Sequence, residues 1–310
     1  MDHASVGKLE RRIRTTDYLA AAQHYLQSNF LLEKPLISED IKARLLGHWG
    51  TCHGINVWYT NVRHVFPEAH MMIGPGHGFA ALQAQLWYDD GLAAYYPEAT
   101  KTPEGVAYIC RQFSWPYGFP SHSSPFTPDV ILEGGELGYS VGQAYGAALN
   151  RRGETFCVLI GDGEMETAAL LASLNLTKIV NVKNDARVLP VLHLNSYKIS
   201  GPTVYGRMSV HELHSLIRGF GYNPLDVNGD DILAFQDALE QSKDLEHPFI
   251  IMRTEKGATG PDYVDGKKIA GNYLAHQIPL ADCKTNPEHL AALETWLRSY
   301  DINWEEVFHG

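Results

Sequence analysis

Four short apolar runs constrain this sequence more than any other feature: "HMMI" (70–73), "TFCVLI" (155–160), "VLPVLHL" (188–194) and "PFIIMR" (248–253). Helical periodicity fills the stretches around 164–183, 209–219 and 231–243. Short apolar strands that alternate with helices form a parallel sheet covered on both sides. The expected fold class is α/β: a doubly wound, mostly parallel sheet with helices on both faces.

Outside that frame, "TDYLAAAQHYLQSN" (16–29) and "SEDIKARLLGHW" (from Ser38) each show apolar residues at helical spacing behind a cap signal. "NPEHLAALETWLRSY" has Asn286 as cap and Pro287 at the first helical position. The reading is one domain over 1–310, with a helical extension over about 1–47 and a C-terminal helix over about 286–300. Pro97 to Asp129 shows neither helical nor strand period and reads as a long functional loop. After it, "EGGELGYSVGQAYGAALNRRG" reads as a Gly-rich turn opening a helix whose Leu137, Val141, Tyr145 and Ala148 share a face.

A net charge of −11 and a pI near 5.7 argue against nucleic acid or an acidic membrane as partner, since both need clustered Lys and Arg. Cys52, Cys110, Cys157 and Cys283 are far apart with no CxxC pair, so no zinc ribbon or disulfide scaffold is expected. The first residues lack the apolar core of a signal peptide, and no run approaches the roughly 20 apolar residues of a membrane span. The expected setting is the cytoplasm.

In a doubly wound sheet, ligands bind beyond the carboxyl ends of the strands. The residues that follow the four runs are Gly-Pro-Gly-His77-Gly, Gly161-Asp162-Gly163-Glu164, Asn195-Ser-Tyr197-Lys198 and Thr-Glu-Lys256-Gly. Asp162 and Asn195 offer hard oxygens of the kind Mg²⁺ takes together with waters and phosphate oxygens. Gly161 and Gly163 allow a diphosphate to approach the main chain, and a following helix would turn free N–H groups toward it. Alone, Asp162 reads first as a helix N-cap; its pairing with Asn195 at the next strand end turns the balance to a metal-bridged diphosphate site.

"GDGE" followed about thirty residues later by "LN" resembles the thiamine-diphosphate enzymes. "GHWG" (47–50), "GPGHG" (74–78), "PSH" (120–122), "EGGELGYS" (133–140), "GDGEMET" (161–167), "LHLNSYKI" (192–199), "PTV" (202–204), "KGATGP" (256–261), "DGKKI" (265–269) and "AHQIPL" (275–280) follow in the order and spacing of phosphoketolases. The series covers about residues 16–308 and resembles the first, diphosphate-binding (PP-type) domain of that family. Phosphoketolases cleave xylulose 5-phosphate or fructose 6-phosphate with phosphate, giving acetyl phosphate and a shorter aldose phosphate.

By that resemblance, Asp162, Asn195 and the Tyr197 main-chain oxygen bind Mg²⁺, or Ca²⁺ or Mn²⁺ in its place. Gly161, Gly163 and Glu164 lie at the diphosphate of thiamine diphosphate, with Gly135, Glu136 and Leu137 alongside. His48, His77, His122 and His276 match the active-site histidines, and Lys256 the lysine near the bound intermediate; Lys256 and His276 also count as cofactor-binding. Histidine titrates in the range needed to move protons on sugar hydroxyls. The remaining histidines, including His211 and His214, read as solvent-facing, and Glu166 as an acid at a helix start.

The chain departs from the family at Thr51-Cys52-His53-Gly54, Phe79-Ala80, Phe126, Leu132 and Ala258, several in loops expected to face the substrate. The family's glutamate that protonates the aminopyrimidine ring lies in a second domain that these residues do not match. A natural split enzyme, a truncated piece of a longer chain and a noncatalytic relic would each leave this half. The retained motifs argue against the relic, and because the resemblance implies sites formed between domains of paired protomers, the expectation is a split enzyme with a separate pyrimidine-domain partner subunit in an α2β2 assembly acting on a sugar phosphate. A transketolase-like ketol transfer, a cofactor-binding module without chemistry and a general nucleotide-binding protein are the rival readings.

Overall fold

The structure is a computed structural model that describes residues 3–128, 130, 134–181 and 183–309; Leu132 and Glu133, named above, lie outside the described residues. The helices are α1 (His3–Tyr25), α2 (Cys52–Val65), α3 (Phe79–Tyr88), α4 (Pro103–Gln112), α5 (Ser140–Ala148), α6 (Ala168–Ser173), α7 (Val210–Gly219), α8 (Ile232–Ser242), α9 (Pro287–Ser299) and α10 (Trp304–His309). The strands are β1 (His70–Ile73), β2 (Thr155–Gly161), β3 (Arg187–Leu194), β4 (Asn223–Asn228), β5 (Pro248–Arg253), β6 (Tyr263–Val264) and β7 (Lys267–Lys268). Two compact units divide the chain: residues 57–76 with 123–256, and residues 3–56 with 77–122 and 257–310.

The first unit contains a five-stranded parallel sheet in the order β1-β2-β3-β5-β4. Its register puts Phe156, Val158 and Ile160 of β2 on one face, with Val188 and Leu192 of β3 and Phe249 and Ile251 of β5. Val141 and Tyr145 of α5 and Leu213 and Ile217 of α7 close over them in one core. The opposite face, with Cys157, Leu159, Leu189, Val191, Ile250 and Met252, is equally buried. Burial of both faces is why these strands read as continuous apolar runs rather than alternating ones.

Proline marks the limits of pairing. Pro190 sits inside the central strand β3, opposite Val158, but pairing with β5 begins one residue later, at Val191. β4 was not legible as a strand, because its residues "NPLDVN" are mostly polar and largely exposed; it is the sheet edge, where a proline is tolerated.

The second unit is mainly helical. α1 packs on α3 and α4, and α9 joins it through Trp296, whose ring meets Tyr25 at 5.9 Å. α1 begins thirteen residues before the expected Thr16 and ends at Tyr25, four short of the expected end. The helix expected from Ser38 is only a single turn, Ser38–Asp40. There the chain is held extended by an Ile41–Leu26 bridge, and Lys42 turns inward to donate to Gln23 O at 2.6 Å and Phe113 O at 3.0 Å. The 97–129 loop does contain a helix, α4, started by Thr102, whose hydroxyl caps Gly105 N–H, and by Pro103. Among the described residues no helix is long and apolar enough to cross a membrane.

Candidate functional site

In the sheet unit, the ends of β1, β2 and β3 bring Gly74, Asp162 and Asn195 to one edge of the sheet. Asp162 is 3% exposed. Its Oδ2 accepts the Ser196 N–H at 2.6 Å and the Thr203 hydroxyl at 3.1 Å, and Oδ1 accepts the Gly163 N–H at 2.9 Å. Two donors fill the lone pairs of Oδ2; Oδ1 keeps one for a cation. Asn195 Oδ1 accepts the Tyr197 N–H at 3.2 Å and likewise keeps a lone pair.

The Tyr197 carbonyl accepts from Lys256 Nζ at 2.7 Å. Lys256 is 3% exposed, and burial pulls its ammonium down to about 8 while Asp162 favours the charged form. Burial raises the Asp162 carboxyl to about 6, against Lys256 and three hydrogen bonds. A buried acid pushed that far gains from a divalent cation. Three hard oxygens from two neighbouring strand ends fit an oxygen-seeking ion such as Mg²⁺, with places left for water and phosphate. Among the described residues no three or more His, Cys, Asp or Glu form a group that could hold a metal.

Glu164 is spent elsewhere. Its carboxylate, raised by burial, accepts the Ser140 hydroxyl at 2.7 Å and the N–H groups of Gly138 and Gly161 at 3.2 Å each. A Cβ on Gly74 would stand 2.0 Å from its Oε2, so glycine is required there. What residue 164 can offer a diphosphate is main chain only. Gly135, Glu136 and Leu137 are exposed on the loop that Glu164 fastens at Gly138, and Leu137 lies outside the helix face expected for it. Gly163 has ordinary helical φ, and a Cβ there would meet only Lys198 Cβ at 3.4 Å. No long helix follows: a turn over Glu164–Glu166 ends at extended Thr167, whose hydroxyl then caps the short α6. Glu166 ends that single turn, two residues ahead of α6, and its carboxylate binds Lys198 and Val204.

In the helical unit, the four matched histidines form one cluster around His48. Its ring centroid is 5.2 Å from each of His77, His122 and His276, and His77 lies 5.1 Å from His276. They come from four separate segments, and all but His276 are partly exposed. Ser121 Oγ pairs with His122 Nδ1 at 3.0 Å. Trp49, beside His48, donates its indole N–H to Gly257 O at 3.3 Å, and Gly257 N–H returns to Gly50 O at 3.0 Å. Clustered imidazoles can pass and accept protons at a polyhydroxylated ligand.

Three histidines expected in solvent are buried instead: His24, His193 and His289. A neutral imidazole packs like a small aromatic ring, and His24, against Phe113 at 5.3 Å, is held neutral by burial and by Lys42, at about 3. The departures from the family pattern also divide. Cys52, Phe79 and Ala80 are at most 1% exposed and serve packing, whereas Phe126 is exposed. Cys52 donates its thiol to His48 O at 3.0 Å. His53 pairs through Nδ1 with buried Asp17 at 2.7 Å, and Asn56 holds the other Asp17 oxygen at 2.7 Å. Sequence reasoning gave no role to Asp17, Ser140 or Thr203, although Ser140 closes "EGGELGYS" and Thr203 lies in "PTV".

A parallel sheet with strand-end oxygens of this kind places the chain among α/β proteins of transketolase-like fold. The transketolase of Campylobacter jejuni superposes with a TM-score of 0.66 at 17% identity, covering 96% of this chain and 48% of that one. That of Leishmania mexicana gives 0.63 at 17%, covering 97% and 46%. A family model described as XFP N-terminal domain matches residues 1–309, and the chain belongs to that family, the phosphoketolase family its motifs resemble. Probable phosphoketolases of Bradyrhizobium diazoefficiens and Streptomyces avermitilis are 44% identical over 319 and 325 residues, covering 94% and 97% of this chain. The chain spans only 40% and 41% of those proteins.

Proposed function

We propose that this chain is the thiamine-diphosphate-binding subunit of a split, phosphoketolase-like enzyme of the cytoplasm. It would act with a separate pyrimidine-domain subunit, as an α2β2 heteromer, on a ketose phosphate. One observation supports the reading: Asp162 and Asn195 follow adjoining strands, and Asp162 accepts the N–H of Ser196, which lies between Asn195 and Tyr197, in a chain of the XFP N-terminal domain family. The oxygens of Asp162, Asn195 and the Tyr197 carbonyl would hold Mg²⁺, and the main chain at Gly161, Gly163 and Glu164 would face the diphosphate, with Gly135, Glu136 and Leu137 alongside.

Thiamine diphosphate, when bound, would supply a carbon nucleophile for cleavage of the ketose. This chain's own residues would do the rest of what it contributes. Lys256, buried and neutralised with little cost near pH 8, donates a hydrogen bond from a fixed place and can give or take a proton. His48, His77, His122 and His276 would move protons on hydroxyl oxygens of the sugar.

The test is to supply the chain with thiamine diphosphate, Mg²⁺, fructose 6-phosphate and inorganic phosphate, with and without a polypeptide equivalent to the rest of the relatives. Acetyl phosphate, trapped as its hydroxamate, is expected only when both are present. Ketol transfer to an aldehyde without acetyl phosphate would make the enzyme transketolase-like. Cofactor binding without turnover would leave a binding module, and full turnover by the chain alone would sink the split arrangement.

A further inference from the structure

The turn after Gly163 carries a second acid, Glu166, whose carboxylate is committed to the loop that follows β3. Oε1 accepts the Val204 N–H at 2.7 Å, and Oε2 takes the Lys198 ammonium. Between these contacts the loop doubles back on itself: Lys198 N–H donates to Gly201 O at 2.9 Å, Thr203 N–H to Ser196 O at 2.9 Å, and Tyr197 bridges Pro202. Gly206 closes it so tightly that a Cβ there would stand 2.7 Å from Ser196 Cα. The loop is therefore a preformed unit with two anchors. Asp162 holds it from inside through Ser196 and Thr203, and Glu166 holds it from outside.

We infer that Glu166, chiefly through its bond to the Val204 N–H, is a positioning residue that holds the 196–206 loop so that the Tyr197 carbonyl stands ready beside the oxygens of Asp162 and Asn195. The inference rests on the cation and diphosphate reading above and extends it to a side chain that touches neither. Its physical basis is the double duty of Asp162. A divalent cation held by Asp162 would draw on the same carboxylate that grips Ser196 and Thr203, and would weaken that grip. Glu166 bears no such load. Lys198 is 46% exposed, so its ion pair alone contributes little; the short charge-assisted bond to Val204 carries the larger share.

Glu166→Ala, Glu166→Gln and Lys198→Met in the full chain separate these roles. Amide hydrogen exchange is read without ligands, and Mn²⁺ affinity is read by electron paramagnetic resonance with thiamine diphosphate present. Glu166→Ala is expected to speed exchange over residues 196–204 while β2 and β3 stay protected, and to weaken Mn²⁺ binding about tenfold or more, as loss of an outer support does. Glu166→Gln, which keeps an oxygen for Val204, should fall between Glu166→Ala and the unaltered chain, and Lys198→Met should change little. If Glu166→Ala unfolds, the Gln variant decides. Unchanged loop exchange, or a loosened loop with unchanged Mn²⁺ affinity, overturns the positioning role alone. Failure of the unaltered chain to bind Mn²⁺ with thiamine diphosphate when a polypeptide equivalent to the rest of the relatives is also present overturns the cofactor reading and the inference with it.

Discussion

Asp162 must be charged to serve a cation, yet it sits where charge is costly. Burial raises it to about 6, so below that pH a proton must leave before a cation can bind. Divalent-cation affinity is therefore expected to fall by up to about tenfold per pH unit below about 6 and to level off above it. Asp162→Asn keeps the shape and removes the charge; affinity should drop at least roughly 100-fold, with the pH dependence flattened. Mn²⁺ titrations from about pH 5 to about pH 7.5 read both effects, and equal affinities in the two proteins would take Asp162 out of the site. Its place at a strand end was legible in sequence because it directly follows an apolar strand, as Asn195 does. Glu164 and Glu166 were not. Only two positions apart, they turn to different neighbours, and apart from Gly161 those partners lie 24 to 38 residues away, beyond any local period.

Strands declared themselves where both faces are buried, and β4 escaped because an edge strand shares its sequence with loops. Helices failed where a distant contact outbid local pattern. The clearest case follows Ser38, where Lys42 leaves helical spacing to enter the interior, its ammonium over the Phe113 ring at 5.5 Å and bonded to two carbonyls. Burial lowers Lys42 to about 8 from 10.5. Above about pH 8 the folded chain releases this proton while the unfolded chain keeps it, so the unfolded state binds more protons and stability rises with pH. The rise on this account is complete by the unfolded value and amounts to at most about 3 kcal/mol. Lys256 adds a slope of the same sign, so the comparison that isolates Lys42 is with Lys42→Met. Denaturant unfolding between about pH 7 and about pH 10.5 should show a smaller rise in that variant. Equal slopes would mean that Lys42 is solvated.

The family, rather than any one element, was the most legible property, because ten motifs in fixed order leave little room for coincidence, and the XFP N-terminal domain match over residues 1–309 agrees with them. A chain that spans about two fifths of its relatives carries a thermodynamic consequence if the cofactor is shared with another polypeptide. Contacts to only part of the cofactor leave the isolated chain with weak affinity, since the ordering cost of binding is met by fewer interactions. Adding the second subunit should then tighten thiamine diphosphate binding by some factor. By linkage, saturating thiamine diphosphate must tighten association of the two subunits by the same factor. Calorimetry of the cofactor with and without partner, and of the partner with and without cofactor, measures the two ratios independently. Equal ratios well above one would place the cofactor in contact with both chains. Ratios near one on both sides would mean that this chain binds its ligand unaided, and the split arrangement would lose its physical rationale.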